Sequence, residues 1–107
     1  PVCYGYERTM LPVFYSDAIF ADAPSNPYAA PVVLSSSPLI AGYVNSRFQP
    51  LIKNAAVVVT GGIGAGRLIG FANAPNFRSF WFGTNRMLAN AILFGNLIHG
   101  DTVVRGK

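Results

Sequence analysis

Seven of the eight prolines fall within the first fifty residues, at Pro1, Pro12, Pro24, Pro27, Pro31, Pro38 and Pro50. Proline has no backbone N–H to donate and its ring clashes with the preceding helical turn, so no long helix fits before residue 50. Short extended pieces remain. Val2 to Tyr6, Leu11 to Tyr15, Ala18 to Phe20 and Val32 to Leu34 read as strands, with Pro12 placing its strand at a sheet edge and residues 22–27 forming a turn-rich connector. Leu39 to Val44 reads as another extended piece. Asn45 or Ser46 then caps a short helix reaching about Lys53, with Pro50 in its first turn.

The second half has a different pattern. The apolar, β-branched run from Ala55 to Thr60 and the run from Arg67 to Ala72 flank Gly61 to Gly66, which predicts a hairpin with a glycine-rich tip and a central first strand. Thr84 predicts the start of a helix through Ile98, whose apolar residues Met87, Leu88, Ala91, Ile92, Phe94 and Leu97 cover most of its circumference and so belong in a core. Gly100 ends it, and Thr102 to Val104 read as one more strand. Strands come first and no regular βαβ alternation follows. The expected class is therefore α+β, a small mixed β-sheet with one long C-terminal helix and one short helix.

At 107 residues the chain has material for one core, so a single domain spanning 1–107 is expected. Its start at Pro1 and its Val103 to Lys107 tail read as an excised segment. Charged residues make up 11%, against about 25% in an average soluble domain, so some weakly polar surface is expected to face another domain or a second copy in a homo-oligomer. The net charge of +4 comes from eight bases and four acids, and the bases are scattered. Phosphate-tracking proteins cluster theirs on one face, so nucleic-acid binding is not expected. The longest apolar stretch, Met87 to Ile98, is interrupted by Asn90, Gly95 and Asn96 and falls short of the ~20 residues that span a bilayer.

The chemistry-bearing residues are few. Gly61 to Gly66 lacks the spacing of a dinucleotide loop and the Lys-Ser/Thr ending of a phosphate loop, and Arg67 opens a strand rather than a helix. A catalytic zinc takes about three protein ligands, whereas this chain holds one His, one Glu and one Cys, far apart in sequence: His99, Glu7 and Cys3. No metal, cofactor or catalytic residue is therefore expected within it, and His99 reads as a helix C-terminal residue favouring the macrodipole. A Cys3, His99, Asp101 triad is a minor enzyme alternative, without the strand-turn-helix elbow that exposes a nucleophile.

One segment exceeds its background. Phe77, Phe80, Trp81 and Phe82 interleave with Arg78 and lead to Arg86. Three readings stand: the aromatics anchor the strand-to-helix crossover in a core while the arginines bond to backbone carbonyls; the loop holds a peptide or glycan terminus with Arg78 or Arg86 on a carboxylate; or it docks a neighbouring domain.

Gly66 to Phe71, then Pro75-Asn76-Phe77-Arg78-Ser79-Phe80-Trp81-Phe82-Gly83-Thr84-Asn85-Arg86-Met87-Leu88, then Asn90-Ala91-Ile92, resembles the extreme C-terminal region of bacterial zinc carboxypeptidase-like proteins. Tyr4-Gly5-Tyr6, Leu11 to Phe14, Asn26 to Ala29 and Pro38 to Tyr43 are similar to the segments that precede it there. The resemblance implies a class I glutamine-amidotransferase-like accessory domain without an evident nucleophile, which makes part of a three-layer α/β fold the alternative class. It also implies an upstream peptidase domain in the same chain that carries the zinc, and a periplasmic or secreted location. No residue here matches the family's catalytic motifs.

Overall fold

The computed structural model describes residues 1–17, 19–79 and 81–99. Along the chain come β1 (Val32–Val33), β2 (Ala56–Ile63), β3 (Gly66–Phe71) and α1 (Phe82–Leu93), with short 3-10 turns at Phe77–Ser79 and Gly95–Leu97. The class is α+β. Among the described strands the sheet order is β1-β2-β3 and both pairings are antiparallel.

The hairpin forms where the β-branched runs lie, but its strands reach further than the glycines suggest. Pairing continues through Gly61↔Leu68, Gly62↔Arg67 and Ile63↔Gly66, leaving a two-residue turn at Gly64 and Ala65. Main-chain pairing needs no side chain, so glycine does not stop it. Gly64 has φ of 57° while Ala65 is not among the positive-φ residues, the pattern of a type II′ turn with glycine at its first central position. β2 is central, as its apolar character requires, and Ala56, Val57 and Val58 are fully buried.

The proline-rich half runs beside β2 and bonds to it intermittently. Val32 and Val33 pair with Val58 and Ala56 across an irregularity, and the Leu34 N–H donates to the Ala55 carbonyl at 2.8 Å. The Ala56 N–H donates to Ala21 O at 2.8 Å, and Thr60 reaches two carbonyls, its N–H to Ala29 and its hydroxyl to Tyr28, both at 2.9 Å. A ladder needs a donor at every second residue on the paired edge, which this half does not sustain.

Several sequence expectations are corrected accordingly. Residues 2–6, 11–15 and 39–44 are not strands, and 19–20 contribute none, with Ala18 outside the described residues. Residues 46–54 form successive turns rather than a helix, although Asn45 does cap the first of them, its Oδ1 accepting from the Arg47 N–H at 3.0 Å. Pro50 has no N–H to continue a ladder, and Asn54 ends the turns in the left-handed region at φ 59°.

α1 starts at Phe82 rather than Thr84 and stops at Leu93, with the 3-10 turn at Gly95–Leu97 covering the rest of the expected span. His99 lies beyond that turn and is no terminal residue of α1. Gly100 and residues 102–104, expected as helix stop and strand, fall outside the described residues. The helix is not buried all round: Thr84, Met87 and Asn90 are its buried residues, whereas Phe82, Ile92 and Leu93 are about three-quarters exposed (73%, 74% and 75%). One cluster, of Val2, Leu34, Ile52, Ala55, Val57, Val58, Met87 and Ile98, joins the start of the chain to the sheet and to the segment after α1.

Candidate functional site at the aromatic segment and α1

The aromatic segment is built around a sharp reversal. Arg78 and Ser79 both sit in the left-handed region, at φ of 48° and 59°, a conformation uncommon outside glycine. The reversal returns the chain so that Phe77 and Trp81 meet the same partner, Phe14, with ring centroids 4.3 and 5.5 Å away. The Ala74 N–H donates to Phe14 O at 2.8 Å and fixes that segment against the loop. Phe77 and Trp81 are half-buried, and the indole Nε1 of Trp81 is enclosed without a hydrogen-bond partner. Phe80, named with them from the sequence, lies outside the described residues.

The two arginines do different things. Arg78 is exposed and its guanidinium lies 5.1 Å from the centre of the Phe77 ring. Arg86 donates from Nη1 to the carbonyl of Gly5 and sits 5.9 Å from the Tyr6 ring centre. Gly5 has φ of 82°, and a Cβ there would stand 2.7 Å from Arg86 Nη1, so glycine allows both the bend and the approach. Each guanidinium thus covers a different ring, and one N–H of Arg86 is bonded to a main-chain acceptor.

Sequence reasoning missed the centre of this arrangement. Asn90 is buried, and its Nδ2 donates to Val2 O at 2.8 Å and to Tyr4 O at 2.9 Å. The Tyr6 hydroxyl donates to Gly83 O at 2.9 Å. Gly83, Arg86 and Asn90 are spaced i, i+3, i+7, one face of α1, and together they hold residues 2–6 along the helix. The signal was visible as an amide interrupting an apolar helix. Leaving a buried side-chain amide without acceptors is costly, and here an irregular segment with unpaired carbonyls supplies them. Thr84, read from the sequence as the cap, sits instead in the first turn, wholly buried, donating to Pro75 O at 2.8 Å.

Burial raises the pKa of the Tyr6 phenol, opposed by the Met87 backbone N–H and the Arg86 charge. Burial also raises Tyr15, whose hydroxyl has no partner. Cys3 is exposed as a residue, yet partial burial of its thiol pushes the pKa up, against the smaller pull of the Pro1 ammonium. A raised pKa disfavours the thiolate, the form a nucleophile needs. Asp101 of the alternative triad lies outside the described residues. Among the described residues no three His, Cys, Asp or Glu side chains gather as a metal site, and no helix is long and apolar enough to cross a membrane.

The concavities near the segment are open and shallow. One of about 480 Å³ is lined by Asn76, Asn85, Arg86, Leu88, Ala89 and Ile92, and another of about 370 Å³ lies between β3 and α1. Comparison of the chain with family models, with curated proteins and with solved structures gave no match.

Proposed function

We propose that the chain is a non-catalytic accessory domain, the C-terminal part of a zinc carboxypeptidase-like protein, that packs against or positions the peptidase domain, with the Phe77 to Arg86 segment as its structural hub. The observation that carries the non-catalytic reading is the use of that segment. Arg86 bonds to Gly5, Trp81 and Phe77 pack on Phe14, and Tyr6 bonds to Gly83, so the chemically distinctive side chains are engaged in holding the chain together. The resemblance of Pro75 to Leu88 and its flanking strings supplies the family, the upstream zinc and the exported location. The exposed Phe82, Ile92 and Leu93 on α1 suit a domain that meets another surface.

The test is an assay of the isolated chain with added zinc against peptides bearing a free C-terminal residue. No zinc-dependent release is expected, and release would overturn the non-catalytic reading. Reading the complete frame of the gene tests the family separately: a zinc peptidase domain upstream is expected, and its absence would remove the accessory role.

A further inference from the structure

Among the described residues β3 is an edge strand, and its outer edge is chemically ready for another strand. The Ala72 N–H donates to Val57 O at 2.9 Å. Antiparallel alternation then assigns Gly70, Leu68 and Gly66 to the pairs bonded to β2 and turns the main-chain groups of Arg67, Ile69 and Phe71 outward. Among the described residues no backbone group bonds to that outer edge. Natural sheets usually blunt an edge with proline, a bulge or a covering segment; β3 has no proline and pairs with β2 in unbroken register, and among the described residues no strand pairs with its outer side.

The side chains of the same three residues line the open groove of about 370 Å³ between β3 and α1, whose opposite wall is Leu88, Ala91 and Ile92. Free main-chain groups and an adjoining apolar groove are the two requirements for strand addition, the first giving attachment and the second admitting alternate side chains. The charge at the groove's end selects the occupant. Arg67 is exposed, hydrogen-bonds to the Gly66 carbonyl at 3.5 Å beside Gly62, and forms no ion pair among the described residues, in a chain with twice as many bases as acids.

We propose that the β3 edge accepts an extended segment of another polypeptide, antiparallel to β3, with apolar side chains opposite Phe71 and Ile69 and an acidic one opposite Arg67. Pairing with the β3 edge of a second copy would bring a further Arg67 and no acid, so charge complementarity favours a different, acidic segment. This inference is independent of the hub on the other face of α1 and of the accessory role.

The probe is the pentapeptide acetyl-Val-Thr-Val-Thr-Glu-amide, titrated into the intact chain while amide hydrogen exchange is followed residue by residue. Slowed exchange at Ile69 and Phe71, with Leu68 and Gly70 already protected and little changed, is the expected result. N-methylation of the peptide nitrogens facing β3 should abolish the effect. Arg67→Glu should weaken binding by about tenfold and restore it for the same peptide with lysine in place of glutamate. Protection that rises with protein concentration alone would assign the edge to a second copy and overturn the proposal. Unchanged exchange at Ile69 and Phe71 at millimolar peptide would also overturn it.

Discussion

The side-chain amide of Asn90 donates to the carbonyls of both Val2 and Tyr4, at 2.8 and 2.9 Å, across a sequence separation of 86 residues or more. The irregular start of the chain has unpaired backbone groups, and a helix with one buried amide supplies the donors. Asn90→Leu removes both bonds and leaves two carbonyls facing an apolar side chain, which should cost about 2 to 4 kcal/mol in urea unfolding. Asn90→Asp should be at least as damaging, since one oxygen replaces the donor and meets two carbonyls.

Thr84→Val tests the second buried polar contact. The side chain is wholly buried and the swap keeps its shape, so the change isolates the bond to Pro75 O. About 1 to 2 kcal/mol of destabilisation is expected, seen as a lower urea midpoint with an unchanged slope.

Met87 is 2% exposed and belongs to the cluster that joins the N-terminal residues to the sheet. Met87→Ala should cost about 2 to 5 kcal/mol. Ile92→Ala, at 74% exposure on the same helix, should change stability by less than about 1 kcal/mol. Equal losses at the two positions would contradict the orientation of α1.

The raised phenol pKa values set an alkaline limit. A folded pKa above the unfolded value means that the folded state holds its proton more tightly. The stability this contributes is complete below the unfolded tyrosine range near pH 10 and is lost as pH rises through the folded pKa. Unfolding midpoints should therefore fall above about pH 10. Tyr15→Phe removes a buried hydroxyl that has no partner, so it should leave neutral-pH stability unchanged or slightly higher and make the alkaline decline shallower.

The hairpin was legible because side-chain preference and glycine punctuation both point to it, and only the length of its strands was hidden. Gly61 and Gly62 read as loop by composition, whereas pairing with Leu68 and Arg67 keeps them in register. The extended pieces at 2–6 and 11–15 were misread for the opposite reason. Their residues suit strands, but among the described residues no strand pairs with them; the Tyr4 and Tyr6 N–H groups close turns on Pro1 and Cys3, and the carbonyls of Val2, Tyr4, Gly5 and Phe14 go to Asn90, Arg86 and Ala74. The partners of those carbonyls lie more than 50 residues away and leave no local pattern. In the candidate site, the aromatic and arginine residues stood out by type, while the role of Arg86 depended on Gly5, whose importance is a backbone angle and not a side chain.

The arginines separate the hub from a binding surface. Arg86→Ala should lower stability by about 1 kcal/mol through loss of the Gly5 bond and of cover over Tyr6, and Arg78→Ala by less, since its exposed guanidinium meets only the Phe77 ring. Thermal denaturation of the two variants side by side checks the order.

The aromatic segment packs within the fold, and Trp81, the only tryptophan, reports on it directly. With its indole nitrogen enclosed and its ring 5.5 Å from Phe14, native emission should be blue-shifted from that of the urea-unfolded chain and resist acrylamide quenching. Native emission and quenching equal to those of the unfolded chain would place Trp81 in solvent and contradict the structural-hub account.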